Sequence, residues 1–573
     1  MTVEAAAATV HPTTQRQLDE AVTRLREAGP AFARVSIPDR IALARSMQAG
    51  YVRAADQIVR AACIAKGIPA GTPTEGEEWA TGPWPVIRQL RLVADSLASL
   101  QRTGNTPIGL VSRAADERLI VRVFPANTID GVLFAGITVD VRMQAGVTEA
   151  TMHATRAPFY RGSRHDGRTV LILGAGNLTC IPVMDVVTKL FNEGKVCLLK
   201  MSPINAYAGP LVEAAFAEAI QRGYLAVVYG GADEGGYLAH HPGVDEVHLT
   251  GSSASYDALV WGPPGPERES RKARGTPLLT KPVTAELGNV SPVLIVPGPY
   301  KDRELAFQAE SIAGGLAHNV GFNCNTPRVL ITPRGWAARA SVLDGVERAL
   351  GAAPTRAAYY PGAEDRWRRL SRGRAGTRLV GQAGSGRLPW ALLPGLDATD
   401  PGETAFTEEP FCPVFAETEV GSDDPLEFLE RAVEFANNRL WGTLSADLVV
   451  HPVSLKDPRI AEAVERAVAR LRYGVVTLNA WSGFAFVYGT PPWGAYPGAT
   501  SSDIQSGTGW VHNTAMLEGI EKAVLRHPLT MVPKPATFPS HRTAHVVNRR
   551  LTYLDERASW AKVPGVIAAA MRG

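Results

Sequence analysis

Apolar and polar positions in the first hundred residues follow the spacing of amphipathic helices. Residues 17–28 and 40–62 carry apolar side chains every three to four positions, with charged side chains on the opposite face. After residue 118 the pattern changes, because segments 118–124 and 132–136 are short apolar runs. The sequence therefore predicts N-terminal helices followed by two strands.

Between residues 169 and 251, apolar runs alternate with amphipathic stretches. The runs are TVLILG, KVCLLKM, LAVVYG and VDEVHLTG. Strand–helix–strand alternation predicts a parallel sheet with helices on both faces, and such sheets bind ligands at the carboxyl ends of their strands. A similar pattern from about 290 to 500 predicts a second α/β region. The polar, basic segment 262–277 between them is predicted to be a loop.

Composition narrows the class of protein. The chain has 573 residues, 45% of them apolar and 20% charged, which is typical of a globular protein of two or three domains. The net charge of +3 gives no reason to expect a nucleic-acid partner. Five cysteines without a C-x-x-C pair argue against a disulfide framework or a metal site. With no long apolar run and no secretory signal, a cytoplasmic protein without a membrane span is expected.

The first strand of the predicted parallel sheet is followed by Gly174, Ala175 and Gly176, which resemble the start of a dinucleotide-binding fingerprint. Position 179 is Thr where the third glycine would stand, and the next strand ends in Lys200 instead of an acid. Taken alone, this segment indicates either a nucleotide site or a tight strand-to-helix turn.

Two residues are candidates for covalent chemistry. Cys324 lies among small and polar residues in HNVGFNCNTPR, whereas structural cysteines such as Cys63 and Cys197 lie among aliphatic residues. Glu286 is a carboxylate at the end of an apolar strand, in VTAELG. Each residue alone is also compatible with a structural role.

The order of AELGNVSP, HNVGFNCNTPR, TEEPFCPVFAE and NNRLWGTLSA resembles the aldehyde dehydrogenase superfamily over roughly residues 15–530. The resemblance implies an α/β fold that combines a Rossmann-like cofactor-binding domain, an α/β catalytic domain and a small oligomerisation element. The implied boundaries are 1–142 and 168–285 for the cofactor-binding domain, 286–500 for the catalytic domain, 143–167 and 528–540 for the oligomerisation element, and 541–573 for a C-terminal tail. It also implies a homodimer or homotetramer, held by a strand at 528–536 that crosses to the neighbouring subunit.

The resemblance assigns chemical roles as well. Cys324 would form a thiohemiacetal and then a thioester, Asn177 would stabilise the oxyanion, and Glu286 would activate the water that releases the acid. Contacts to NAD or NADP would come from Lys200, Gly251, Ser252, Gly288, Glu409 and Phe411. No metal is implied.

The chain departs from the family's pattern at Gly176, Pro203, Tyr256 and Cys412. Pro203 stands where NAD-preferring relatives have a carboxylate that binds the ribose hydroxyls and repels the 2′-phosphate of NADP, so tolerance of NADP is expected. The segment 262–277 could add a phosphate clamp or be a solvated insertion; its basic residues are Arg268, Arg271, Lys272 and Arg274.

The substrate is expected to be a hydrophobic or aromatic aldehyde, because the family's substrate entrance matches an aromatic segment here. Its rings are Trp481, Phe484, Phe486, Tyr488, Trp493 and Tyr496. The same rings could equally form a buried loop core. Two further alternatives are a CoA-acylating enzyme, against which Glu286 argues, and a catalytically inactive relative.

Overall fold

The computed structural model describes residues 10–162, 166–384 and 386–573. In these three ranges, no helix combines the length and the apolar character that crossing a membrane requires. The strands described are β1 Val111–Arg113, β2 Leu119–Phe124, β3 Thr138–Met143, β4 Thr169–Leu173, β5 Val196–Lys200, β6 Leu225–Val228, β7 Glu246–Gly251, β8 Val283–Leu287, β9 Ser291–Ile295, β10 Pro327–Pro333, β11 Arg378–Val380, β12 Trp390–Leu396, β13 Val414–Val420, β14 Ser445–Val449, β15 Val475–Leu478, β16 Pro492–Trp493, β17 Gly507–Thr508, β18 Val511–His512 and β19 Ile520–Arg526.

The α-helices of the same residues are α1 Gln15–Ala33, α2 Ile37–Lys66, α3 Glu75–Ala80, α4 Pro83–Thr103, α5 Thr128–Leu133, α6 Glu149–Thr155, α7 Pro158–Arg161, α8 Ile181–Val187, α9 Gly209–Ala215, α10 Ala217–Gln221, α11 Ala232–His240, α12 Ser253–Val260, α13 Pro266–Arg274, α14 Asp302–Ala317, α15 Arg339–Ala352, α16 Ala363–Ser371, α17 Thr404–Thr407, α18 Pro425–Arg439, α19 Pro458–Arg470, α20 Gly483–Val487, α21 Ala544–Glu556 and α22 Val563–Ala570. A π-helical turn, Thr188–Asn192, continues α8, and a 3₁₀ turn, His318–Gly321, follows α14.

The smaller sheet has the strand order β17-β8-β7-β4-β5-β6. Strands β4 to β8 pair in parallel, and only β17 runs antiparallel, against β8. Strands β4, β5 and β7 are almost entirely buried because helices cover both faces. The predicted parallel sheet over 169–251 is confirmed. Its helical segments end where expected, at Gly194 and Gly223, whose φ values of 65° and 73° favour glycine.

The larger sheet has eleven strands, in the order β1-β2-β3-β19-β15-β14-β9-β10-β13-β12-β11. Its centre is parallel, whereas β1, β2, β3 and β19 form an antiparallel group at one end. Residues 111–143 therefore belong to the larger sheet, although the sequence assigned nearly all of them to the cofactor-binding domain. The reason is long-range pairing: β3 forms hydrogen bonds with β19, which follows it by almost four hundred residues.

The apolar run 132–136 is not the strand that its composition predicts. Asn127 Oδ1 accepts the backbone N–H of Asp130 at 2.9 Å and caps α5, which ends at Leu133. A turn at Gly136, with a φ of 82°, then leads into β3. The apolar side chains of this run face a cavity instead of forming a sheet.

The predicted intersubunit strand at 528–536 is also wrong, because this segment contains no strand. Pro528, Pro533 and Pro535 lack backbone N–H groups, so the segment is unsuited to sheet pairing. The nearby strand is β19, and it is already paired with β3 on one side and β15 on the other within the same chain. The expected homodimer or homotetramer stays a prediction, but this strand is no longer part of it. The other segment expected to form the oligomerisation element is 143–167, and its residues 163–165 lie outside the described residues.

Candidate active site

Cys324 lies between the 3₁₀ turn that follows α14 and the first residue of β10. Two residues of this turn, Asn319 and Val320, have left-handed φ values of 52° and 57°. The Asn319 side chain stabilises the turn by donating to the carbonyl of Phe322 at 3.1 Å. This tight turn places Cys324 between two cavities, and its side chain remains partly exposed.

Glu286 lies on β8, opposite Thr250 of β7 and Gly507 of β17. Its carboxylate is 3% exposed, and neither oxygen has a hydrogen-bond partner of good geometry. The thiol of Cys324 and the indole N–H of Trp493 face it, and burial raises the pKa of Glu286 to about 7. Burial is the main reason that the pKa of the Cys324 thiol is raised well above its ordinary value. The charge of Glu286 is the second reason.

Asn177 lies in the loop between β4 and α8, and its backbone carbonyl accepts three hydrogen bonds. The donors are Lys66 Nζ at 3.1 Å, Asn319 Nδ2 at 3.1 Å and the Tyr359 hydroxyl at 3.0 Å. Asn177 Nδ2 donates one hydrogen to the carbonyl of Phe322 at 2.9 Å. Because a side-chain amide has two hydrogens and Asn177 lines the same cavity as Cys324, the second hydrogen can be donated to a ligand.

The buried ion pair behind Asn177 gave no signal in the sequence. Lys66, the last residue of α2, lies 2.9 Å from Glu78 of α3, and both side chains are almost completely buried. Burial alone would lower the pKa of Lys66, but the Glu78 charge raises it above its ordinary value, so the lysine stays charged. A lysine at the end of an amphipathic helix is typical of a solvated position, so only the packing of α2 against α3 reveals its role.

A cavity of about 1060 Å³ extends from Cys324 along the carboxyl ends of the smaller sheet. We call it the larger cavity. It is lined by Leu173, Gly174, Ala175, Gly176, Asn177, Ile181, Lys200, Ser202, Pro203, Gly231, Ala232, Gly235, Gly236, His240, Leu249, Thr250, Gly251, Ser252, Ser253, Ala254, Ser255, Ala258, Leu259, Gly262, Pro263, Leu278, Glu286, Gly288, Cys324, Tyr360, Arg366, Thr407, Glu408, Glu409, Phe411 and Trp441. All nine residues to which the resemblance assigned catalytic or cofactor-binding roles line this cavity.

Lys200 lines one end of the larger cavity. This end is the one that lies farthest from β8 along the smaller sheet. Lys200 Nζ donates to the carbonyl of Gly230 at 2.7 Å, and burial lowers its pKa to about 8. Between β7 and α12, Gly251 ends the strand and Ser252 caps the helix by accepting the N–H of Ser255 at 3.1 Å. Free backbone N–H groups at such a helix start suit an anion such as a pyrophosphate.

The end of the larger cavity near Cys324 contains a second buried acid, Glu409. A Cβ on Gly288 would lie 1.9 Å from Glu409 Oε1, so any other residue there would displace the Glu409 carboxylate. Burial raises the pKa of Glu409 to about 8, and the charges of Arg328 and Arg366 oppose the rise. Phe411 has a φ of 41°, and its ring centre lies 4.8 Å from that of Tyr360.

On the other side of Cys324 is a second cavity, of about 420 Å³, which we call the apolar cavity. Four segments supply most of its walls: residues 80–84, 132–137, 481–488 and 531–571. Trp481, Phe484, Phe486 and Tyr488 of the aromatic segment line it. The two remaining rings of that segment lie elsewhere: Trp493 faces Glu286, and Tyr496 lies 5.0 Å from the amino group of Lys522.

The conserved pattern of the Aldehyde dehydrogenase family matches residues 170–349, the part that contains Asn177, Glu286 and Cys324. Geranial dehydrogenase from Castellaniella defragrans is 27% identical over 248 residues, which are 40% of this chain and 46% of that protein. Over residues 170–349 the chain is similar to the aldehyde dehydrogenase superfamily. It spans less than half the length of the curated relatives it matches.

Solved structures of the superfamily share the fold over most of the chain. A mutant of aldehyde dehydrogenase C from Pseudomonas syringae, complexed with NAD+ and octanal, matches with a TM-score of 0.61 and 17% identity, over 90% of each chain. The NADP-dependent glyceraldehyde-3-phosphate dehydrogenase from Bacillus halodurans, complexed with NADP, has a TM-score of 0.59 and 15% identity, over 90% of this chain and 92% of that one. The α/β fold expected from the sequence is confirmed.

Three of the four residues that depart from the superfamily's pattern have defined neighbours in this chain. A Cβ on Gly176 would lie 2.5 Å from Ser202 Oγ and 2.9 Å from Ile204 Cβ, so a larger side chain has no room there. Tyr256 is buried in a small cluster that packs α12 on β7 and β8. Cys412 is fully buried, and its carbonyl accepts a hydrogen bond from Arg328 at 2.8 Å.

The segment 262–277 is not the loop that its composition predicts, because Pro266–Arg274 form α13. Arg271 forms an ion pair with Glu267, and Lys272 lies 2.7 Å from Asp257. None of the four basic side chains of this segment lines the larger cavity. Their placement gives no support to a phosphate clamp.

Proposed function

We propose that the protein oxidises an apolar aldehyde to the carboxylic acid, using NAD or NADP. One observation carries the proposal: Cys324 lies where the larger cavity meets the apolar cavity, with Glu286 facing its thiol. A thiol in that position has access to a cofactor from one side and to an apolar substrate from the other. The relative named for geranial and the neighbour that holds octanal make an apolar aldehyde the natural candidate.

The residues of the larger cavity fit a nicotinamide dinucleotide. Lys200 can donate to the adenosine ribose, the start of α12 can bind the pyrophosphate, and Glu409 can accept from the nicotinamide ribose. The unpartnered Oε1 of Glu409 is a buried acceptor of the kind that a ribose hydroxyl satisfies. When bound, this cofactor supplies the hydride acceptor of the reaction.

Glu286 first takes the proton of the Cys324 thiol, which a pKa near 7 and the facing geometry allow. The thiolate then attacks the aldehyde carbon and forms a thiohemiacetal. Asn177 Nδ2 and the backbone N–H of Cys324 donate to its oxyanion, and each such donor contributes about 3 kcal/mol. Lys66, Asn319 and Tyr359 hold the backbone of Asn177 in place from behind.

Loss of the hydride leaves an acyl thioester on Cys324. Once the proton taken from Cys324 has passed to solvent, Glu286 takes a proton from water, the resulting nucleophile attacks the thioester carbon, and the acid leaves as the thiolate is restored. The sum is aldehyde, water and oxidised cofactor to acid, reduced cofactor and one proton. The indole N–H of Trp493 faces the same carboxylate and can orient it.

Tolerance of NADP follows from the charges of the larger cavity. Its carboxylates, among the residues described, are Glu286, Glu408 and Glu409, and all three belong to the end near Cys324. The lining residues at the end beside Lys200 and Pro203 carry no carboxylate that would repel a 2′-phosphate. Glu234, whose charge acts on Lys200, lies outside the lining and accepts the N–H of Gly231 at 2.7 Å. We infer that NADP is accepted together with NAD.

Two substitutions test the proposed function. Cys324→Ala abolishes cofactor reduction and acyl-enzyme formation, because the nucleophile is lost. Glu286→Gln leaves a burst of reduced cofactor, since a fraction of the thiol still ionises, and lowers steady turnover by about 10²–10⁴-fold. Stopped-flow absorbance of the reduced cofactor measures both phases. Wild-type turnover in Glu286→Gln would exclude Glu286 as the base.

A further inference from the structure

The two C-terminal helices form one side of the apolar cavity. From α21 come Val547, Asn548 and Leu551, and from α22 and the residue after it come Val566, Ile567, Ala570 and Met571. The sequence predicted a tail for residues 541–573, and the structure instead packs them over the substrate side of Cys324. Thr543 Oγ1 donates to the carbonyl of Ala569 at 2.8 Å and joins the start of α21 to α22.

One buried guanidinium ties these helices to the other walls. Arg88 of α4 lies 3.2 Å from Asp555 of α21 and 2.7 Å from Asp130 of α5. Its Nε also donates to the carbonyl of Tyr488, in the aromatic segment, at 2.8 Å. Arg88 therefore joins three segments that wall the apolar cavity, so α21 is a fixed part of it.

Large apolar side chains are exposed around the same cavity. Val132 is 48% exposed, Val532 83%, Ile567 41% and Met571 59%, and all four line it. They come from α5, from the stretch before α21 and from the end of α22, so the exposed surface is assembled by the fold and not by one apolar run of sequence. Water-exposed apolar side chains that converge on a cavity mark a site for an apolar ligand.

The polar lining residues offer little to a polar ligand. Thr81 Oγ1 donates to the carbonyl of Glu77 at 2.8 Å, Asn548 Nδ2 to that of Gly76 at 3.0 Å, and Asn323 Nδ2 to that of His318 at 3.0 Å. Lys534 is the one lining residue with a permanent charge in the described part of the chain, and it donates to Ser540 Oγ at 2.7 Å. A charged or hydroxylated chain would therefore find few replacement partners for its water, chiefly Asn325 and the second amide hydrogen of Asn548.

We propose that α22 is the specificity-determining element of the substrate site, and that the substrate is an aldehyde with a long aliphatic chain. The aldehyde carbon lies at Cys324, and the chain runs through the apolar cavity to Val566, Ile567 and Ala570 of α22. Each methylene buried there contributes a similar increment of binding, so preference increases with chain length until the chain reaches the exposed side chains. The placement of the aldehyde carbon at Cys324 rests on the proposed function.

Steady-state kinetics with propanal, hexanal and decanal test the inference. We expect the kcat/KM of the wild type to rise from propanal to decanal by at least tenfold. Ala570→Trp fills the cavity from α22 and should lower the ratio of decanal to propanal kcat/KM by at least tenfold. Ala568→Trp is the matched control, because Ala568 is exposed on the same helix and lies outside the lining.

A second variant guards against misfolding of Ala570→Trp. Ile567→Glu places a charge at a half-exposed position and should lower the same ratio at least fivefold, whereas Ala568→Glu should leave it unchanged. A parallel change for both aldehydes in the Ala570 and Ile567 variants would overturn the role of α22.

Alkylation of Cys324 tests the cavity without any turnover. The thiolate displaces iodide from iodoacetamide or N-decyl iodoacetamide and forms a thioether, which intact mass measures; the other four cysteines are buried. We expect the decyl reagent to react at least tenfold faster in the wild type, and Ala570→Trp to remove most of this advantage. If no aldehyde reduces the cofactor but the alkylation pattern holds, the proposed function fails and the apolar-chain site stands. If aldehydes are oxidised but neither ratio responds to α22, the site assignment fails and the proposed function stands.

Discussion

The two cavities that meet at Cys324 are built in different ways. Most of the larger cavity comes from residues 173–288, where consecutive strands of the smaller sheet end beside one another. Most of the apolar cavity comes from four segments spread from residue 80 to residue 571. The first depends on local strand–turn–helix geometry, and the second depends on how distant elements pack. Substitutions should therefore affect the two cavities through different physical causes.

The largest expected effect concerns Arg88, whose buried ion pairs join distant segments around the apolar cavity. Arg88→Met leaves Asp130 and Asp555 buried without their shared partner, so the free energy of unfolding should fall by about 3–5 kcal/mol. Arg91→Met, on the same helix, is the control: Arg91 also pairs with Asp555 but reaches solvent, so a smaller loss is expected. Urea unfolding measures both. A decrease in the free energy of unfolding of less than about 1 kcal/mol in Arg88→Met would contradict a stabilising role for the Arg88 ion pairs.

The next effect isolates the larger cavity. Gly288→Ala would put a Cβ 1.9 Å from Glu409 Oε1, and the displaced carboxylate should weaken cofactor binding by about 1–3 kcal/mol. Gly351→Ala, whose Cβ would lie 3.8 Å from Val380, is a control without a clash. Calorimetric titration with NAD and NADP gives the affinities. Alkylation of Cys324 by the decyl reagent should change little, and an equal change in both measurements would show that the cavities are not independent.

The pH dependence of kcat tests Glu286, which lies where the two cavities meet. Because the pKa of Glu286 is raised to about 7, its basic form is present above pH 7 and lost below it. When release of the acid limits turnover, kcat should therefore fall roughly tenfold for each pH unit below 7. Asp185 and Glu409 are the carboxylates whose charges interact with Glu286. A flat kcat between roughly pH 6 and pH 8 would contradict the assignment.

The smallest effect tests charge at the far end of the larger cavity. Pro203→Glu adds a carboxylate near Lys200, and the NADP to NAD ratio of kcat/KM should fall about tenfold, equivalent to about 1.4 kcal/mol. Pro203→Gln has the same size without the charge and should keep the wild-type ratio. Strict NAD dependence of the wild type would refute the inferred tolerance.

Local pattern was enough to predict the smaller sheet, because its strands are short apolar runs separated by helices that end at glycine. The motif order around Glu286 and Cys324 predicted the superfamily, and the structure brings both residues and Asn177 to one junction. The wrong predictions concern segments 132–136, 262–277 and 528–536. The average composition of each segment was a poor guide to its structure. Helix capping determines the structure of 132–136, charge pairs favour the helix in 262–277, and prolines disfavour a strand in 528–536.

Sequence by itself determined the chemical groups, since a thiol, a carboxylate and an amide keep their identity wherever the chain places them. Only the tertiary structure decided their environment. The pKa of Glu286 is raised because the fold buries it beside Cys324 and Trp493, which are distant in the chain, and Lys66 stabilises the backbone of Asn177 because α2 ends against α3. The apolar cavity likewise exists only after α21 and α22 pack over residues far away in the chain. Burial and long-range contact depend on all elements at once, so no single segment of the sequence contains them.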